Sequence, residues 1–198
     1  MKKNELTSKD LLLVLLYCPG LTEKENEPIT GRTRLTKMVF LFEKEIKGDF
    51  FKNMHINELN FESFNFGPYS KELFDNLKFF LSIRLIRADK TSVPISIAEK
   101  YEYEYSLDDG LSDEDVDNNP IEEYELKYSL SKNGMKYIED NVWELLSNNQ
   151  KNTLIKFKKN INSLSLDALL KYVYNKYKEY TNKSKIADKY IYKENPNV

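Results

Sequence analysis

The chain has 198 residues, 40% of them hydrophobic and 31% charged, which excludes an intrinsically disordered protein and suffices for one full core or two small ones. One cysteine, Cys18, and one histidine, His55, exclude an internal disulfide and a histidine-based metal cluster. The net charge of −2 hides a strong asymmetry: residues 101–150 carry 3 basic and 14 acidic residues, whereas 151–198 carry 11 basic and 4 acidic.

No stretch is apolar enough for a membrane span, and Glu5, Lys9 and Asp10 interrupt the N-terminal segment where a secretory signal needs an uncharged run. A soluble, cytoplasmic protein without membrane contact is therefore expected. Ser8 is the expected N-cap of a first helix whose run Leu11 to Leu16 is apolar all round and should be buried, ending at Cys18, Pro19 and Gly20. A polar loop over 22–30 follows. Leu35, Met38, Val39, Phe42 and Ile46 then recur at helical spacing, with Arg34, Lys37 and Glu43 on the opposite face.

Phe61 to Phe66 partly alternate as a short strand would, and Gly67 and Pro68 should end it. Ser70 is the expected cap of a third helix with Leu73, Phe74, Leu77, Phe80, Leu81 and Ile83 on its buried side. Two antiparallel strands are expected at 95–107 and 124–130, joined by 108–123, in which eight acids make an exposed tip dispensable for folding. Ser131 caps a helix expected to run through Leu145. Two more helices carry Leu154, Phe157 and Ile161, then Leu166, Leu169, Leu170, Val173 and Tyr174 after Ser165, and a weakly patterned polar stretch begins at Thr181.

This order implies an α+β protein, mainly helical. A winged-helix-like half with a β-hairpin wing spans 1–141, a C-terminal helical subdomain at 142–190 packs on it, and 191–198 form a polar tail. The expected core is Leu12, Leu15, Leu16, Leu35, Val39, Phe42, Leu73, Leu77, Leu81, Ile86, Leu126, Tyr128 and Leu130. In a winged-helix DNA reader the helix after Ser70 would present Lys71, Asn76 and Lys78, with Arg87 beside it, to the phosphates and base edges. Its basic and acidic side chains are nearly balanced, and the wing tip is acidic, so a protein-binding scaffold is the first reading and DNA binding the alternative.

Several segments carry a wider resemblance: Gly31 to Glu43, Phe64-Asn65-Phe66-Gly67-Pro68-Tyr69-Ser70-Lys71-Glu72-Leu73, the helix ending in Leu85-Ile86, and Leu169 to Tyr177 with Thr181 and Ser184. Together they resemble the prokaryotic YwgA-like family and, more distantly, the antitoxin SocA (Panacea) domain. The resemblance implies a regulatory or antitoxin-like protein that holds a protein partner, such as a toxin or a component of a defence or regulatory locus.

Arg32 and Arg34 open a helix where cations oppose the macrodipole, so each should find an acidic neighbour or an anion. With Tyr69 and the acids Asp113, Glu114 and Asp115 they form the expected partner-binding set. Asp113, Asp115 and Asp117 begin like a calcium loop, but Asn118 and Tyr124 stand where glycine and a bidentate glutamate are required. His55 has no nucleophile with a recognisable signature near it, and no glycine-rich phosphate loop is present, so no enzyme activity, cofactor or metal is expected. The tyrosines and lysines at 171–180 suit either single-stranded nucleic acid or a half-buried helix face.

Overall fold

A computed structural model describes residues 7–50, 59–94 and 124–191. The protein is mainly helical with a small antiparallel sheet. Its centre is α1 (Ser8–Tyr17), in which Leu11 to Tyr17 are all buried, as all-round apolarity requires. The N-cap is Thr7 instead of Ser8. A capping box needs its acid three residues after the cap, and Asp10 stands three after Thr7; the Thr7 hydroxyl accepts from the Asp10 N–H while the Asp10 carboxylate accepts from the Thr7 N–H at 2.9 Å.

The loop after α1 holds a strand that periodicity could not reveal, the two-residue β1 (Ile29–Thr30). It pairs with one edge of β5 (Tyr124–Leu130), whose other edge pairs with β4 (Ile86–Pro94), giving the order β1-β5-β4. β4 starts nine residues before the expected strand, directly after the helix that precedes it. Residues 95–123, including the acidic segment, lie outside the described residues.

From β1 the chain enters α2 (Arg32–Leu41), continues through a π-helical turn (Phe42–Ile46), and ends in the short α3 (Lys47–Phe50). Gly67 and Pro68 do not end a strand. They begin β3 (Gly67–Tyr69), which pairs antiparallel with β2 (Glu62–Phe64), where a two-stranded ribbon leaves proline an edge with no ladder bond to make. α4 (Lys71–Ser82) follows and leads into β4.

α5 (Lys132–Asn141) stops short of the expected Leu145. A 3₁₀ turn at Trp143–Leu145 sets the Trp143 ring edge-on to Tyr17 with centroids 5.1 Å apart. α6 (Asn148–Ser163) starts from a second capping box, Ser147 with Gln150, and α7 (Leu166–Lys176) from Ser165. The stretch after Thr181 is packed, contrary to its polar composition. Thr181 is buried, and α8 (Ala187–Tyr190) ends in Tyr190, which meets the Tyr174 ring edge-on and donates to Asp167 at 3.0 Å. A single aromatic anchor leaves no periodic trace in sequence. One hydrophobic core runs from Leu11 to Tyr190. Of the expected core residues, Leu81 and Leu126 are only partly buried and the others are buried.

The loop joining α1 to β1 is tied down by polar side chains. Asn26 mimics a strand partner, accepting from the Leu130 N–H at 2.7 Å and donating to the Leu130 carbonyl at 3.1 Å. Lys158, completely buried on α6, donates to the carbonyls of Leu16 at 3.0 Å, Cys18 at 2.7 Å and Glu27 at 2.6 Å. It thereby satisfies carbonyls that the end of α1 leaves without partners. Burial pushes the Lys158 ammonium down from its ordinary value and the neighbouring Cys18 thiol up to about 11.

Glu27 closes the same loop, its carboxylate accepting from the Leu21 N–H at 3.0 Å, the Thr22 hydroxyl at 2.7 Å and the Asn162 amide at 2.7 Å. Burial alone would raise its carboxyl. The donors, Thr22 foremost, outweigh that and hold it down at about 2. With the folded value below the unfolded one, the charged form stabilises the native state above about pH 4.5, and this contribution disappears as pH falls toward about 2. Acid titration of unfolding free energy should therefore show a loss over that window from this group, a loss missing in Glu27→Gln.

Candidate functional site

α4 and the hairpin before it form the best-defined candidate surface, and its foundation is the stretch Phe66 to Ser70. Ser70 Oγ accepts from the Leu73 N–H at 3.1 Å as N-cap and donates to the Leu59 carbonyl, so one hydroxyl fixes both the helix start and the incoming chain. Ser70→Ala should cost about 1–2 kcal/mol in chemical denaturation while leaving the helical circular dichroism intact. Lys37, expected on the solvent face of α2, is buried and donates to the Pro68 carbonyl at 3.2 Å.

Gly67, at φ +86°, lies against the Tyr174 ring, where a Cβ would come within 2.9 Å of the ring. Tyr174 shares a 2.8 Å hydrogen bond with Ser184, and the Lys185 N–H donates to the Asn65 carbonyl at 2.9 Å. The segments Phe64 to Leu73 and Leu169 to Tyr177 thus meet at Gly67 and Tyr174, and their contact is a structural joint between the hairpin and α7.

Two of the expected partner-binding residues come together above this joint. The Arg32 guanidinium lies over the Phe74 ring at 5.3 Å, Phe74 stacks on Tyr69 at 5.1 Å, and Tyr69 leans on Phe64 at 4.8 Å. The result is a cation capping a ladder of three rings on a partly exposed face. Arg34 goes elsewhere, donating to the Ile161 carbonyl near the end of α6 at 2.8 Å, a favourable place for a cation. Asp113, Glu114 and Asp115 lie outside the described residues, as does His55.

The expected DNA-reading set is not displayed as a set. Lys71 is exposed but paired with Asp75 one turn along at 3.0 Å, and Arg87 donates to Ser129 at 3.4 Å. Lys78 is exposed. Asn76, expected outward, is buried, and its amide nitrogen has no hydrogen-bond partner. It falls on the inner side of α4 beside Leu73, Leu77 and Phe80, a placement that polarity alone misjudges.

The outer stripe of α4 instead carries Phe79, and Ile83 continues it, each 47% exposed. Ile83 was expected inside. Ile83 is the C-cap of α4, its N–H donating to the Phe79 carbonyl at 3.1 Å, so it lies one turn beyond Phe79 on the outer stripe before Arg84 at φ +57° turns the chain.

A second polar cluster joins the π-helical turn to α7. One oxygen of Glu45 accepts from the Tyr172 hydroxyl at 2.7 Å, the Tyr177 hydroxyl at 2.9 Å and the Lys176 ammonium at 2.9 Å. Burial opposes ionisation of Glu45, but these donors hold its carboxyl below the usual range, while burial and Glu45 push Tyr177 up to about 12. Tyr174 is buried and Tyr177 and Tyr180 pack edge-on to Phe40, so this helix face is largely core. Most basic residues of the C-terminal block that are paired here meet nearby acids, as in Lys151 with Glu144 and Lys159 with Glu23.

Among the described residues no group of three histidine, cysteine or acidic side chains is placed to hold a metal ion, and no helix is long and apolar enough to cross a membrane. The chain matches no protein-family model, no curated protein and no solved structure.

Proposed function

We propose that this is a non-enzymatic, antitoxin-like regulatory protein that acts by holding a protein partner on its winged-helix-like half. The observation that carries the reading is the outer side of α4, the helix that would enter a DNA groove. There Lys71 is paired with Asp75 and Asn76 is turned inward, so that, among the described residues, Lys78 alone of the three α4 residues expected to read DNA is displayed unpaired, while the solvent is offered Phe79 and Ile83. Phosphate binding needs unpaired cations along such a helix, whereas exposed apolar side chains suit a protein interface. The Arg32, Phe74 and Tyr69 ladder beside this stripe adds the arginine and aromatic chemistry over-represented in such contacts.

DNA binding through Lys71, Lys78 and Arg87 is the alternative. It requires affinity that falls steeply with salt, one counterion released for each phosphate neutralised. Mild purification of the chain from its native host tests the two readings together: a stoichiometric protein partner supports the first, and nucleic acid in its place, released by salt, supports the second.

A further inference from the structure

We infer that two copies of this chain pair through β4, edge to edge and antiparallel about a two-fold axis at Ala88, joining their three-stranded sheets into one. The inference goes beyond the protein-binding reading above and does not depend on it.

The open edge is defined by backbone direction. In the order β1-β5-β4, β4 has β5 on one side, and among the described residues no strand lies on the other. Backbone groups of an antiparallel strand alternate between its two sides. In β5 the even-numbered residues face β1: the Leu126 carbonyl accepts from the Gly31 N–H at 2.8 Å, and the Leu130 N–H donates to the Asn26 side chain at 2.7 Å. The odd-numbered ones face β4, in line with the Ser131 N–H donating to the Leu85 carbonyl at 2.9 Å. Arg87 and Asp89 stand opposite Ser129 and Lys127, so their backbone groups point into the sheet. Ala88, opposite Tyr128, points its N–H and carbonyl out of the open edge.

The sequence of the edge selects a second copy as its occupant. The regular register with β5 runs from Ile86 to Lys90 and shifts beyond it, so the regular window is five residues long with Ala88 at its centre. Full overlap of two such windows sets Ala88 against Ala88 of the second copy and exchanges two hydrogen bonds there. It also sets Arg87 directly across from Asp89 of the second copy, twice, in the closer type of antiparallel pair. Both side chains are exposed, and Arg87 already lies along this face, donating to Ser129 at 3.4 Å. Each row across the axis then reads Lys127, Asp89, Arg87 of the second copy, Ser129 of the second copy, so that neighbouring charges are opposite. Axes at Arg87 or Asp89 would oppose like charges instead.

The other face of the sheet agrees with this pairing. Ala88 shares that face with Ile86, Tyr128 and Leu130, which are buried, yet is itself exposed. The core-facing side of the sheet runs out at this edge, and a second β4 extends it.

A window this short buries little area, so the dimer is weak. Sedimentation velocity on the full chain at rising concentration, up to about 500 µM, should show a reversible equilibrium between monomer and dimer. Asp89→Arg and Arg87→Asp should each weaken dimerisation about ten-fold or more, since each puts like charges directly across the axis twice. Mixed together, the two variants should recover the dimer, because every arginine of one then meets an aspartate of the other. Ala88→Pro removes the outward N–H while leaving the ladder to β5 its donors, and should abolish pairing. If circular dichroism shows that this variant does not fold, the charge exchange alone decides.

A chain that stays monomeric over this range, as it would if the edge served another protein's strand, would overturn the inference. So would a dimer that persists with folded Ala88→Pro, one indifferent to either charge variant, or charge variants that fail to associate on mixing.

Discussion

Lys158→Met is expected to destabilise the protein by about 3 kcal/mol or more, because methionine keeps the volume of the stem but removes every donor from three buried carbonyls. The carbonyls of Leu16, Cys18 and Glu27 all converge on the one ammonium, which has no solvent exposure. Removing a desolvated charge returns some free energy, since burial already disfavours the charged form of Lys158. The loss dominates because each buried acceptor left without a donor costs about 1–3 kcal/mol and three carbonyls lose the same ammonium at once. Urea unfolding followed by fluorescence should show a lower midpoint with an unchanged slope. A midpoint within experimental error of wild type would show that the loop from Cys18 to Pro28 does not depend on this contact.

Gly67→Ala should cost about 2–4 kcal/mol, combining the penalty of a side chain at φ +86° with overpacking against a ring that cannot retreat. Tyr174 is completely buried and held through its hydroxyl by Ser184. The damage should be local before it is global. Amide exchange is expected to accelerate first across residues 181–190, whose attachment to the hairpin passes through Asn65, Ser184 and Tyr174, while α1 retains its protection. Uniform acceleration would place the joint within a single cooperative unit instead.

The helices were largely legible because their signals are local. Ser70, Ser131 and Ser165 each cap the helix expected of them, and the apolar run of α1 is buried as its pattern demands. What escaped were features created by tertiary contact. β1 is two residues long and exists only through β5, and Tyr190 is fixed by Tyr174 and Asp167 from α7. The lysines at 37 and 158 look like surface residues in a charged sequence; only assembled carbonyls give their ammonium groups a reason to be inside.

The candidate surface was half legible on the same grounds. Arg32 and Tyr69 do meet over Phe74, but Asn76 lies inward and Ile83 outward, because the end of α4 and its packing partners decide both. A signal for Phe79 was available: on a helix whose buried stripe already holds Leu73, Leu77 and Phe80, it falls outside that stripe.

The protein-docking role proposed for α4 predicts a footprint on that helix. Hydrogen–deuterium exchange on the protein isolated with its native partner, compared with the protein alone, tests it most directly. Slowed exchange confined to peptides covering 71–84 and the neighbouring start of α1, in a complex of defined stoichiometry, is the predicted result. A partner whose footprint leaves those peptides unchanged, or a footprint produced by nucleic acid alone, would contradict it.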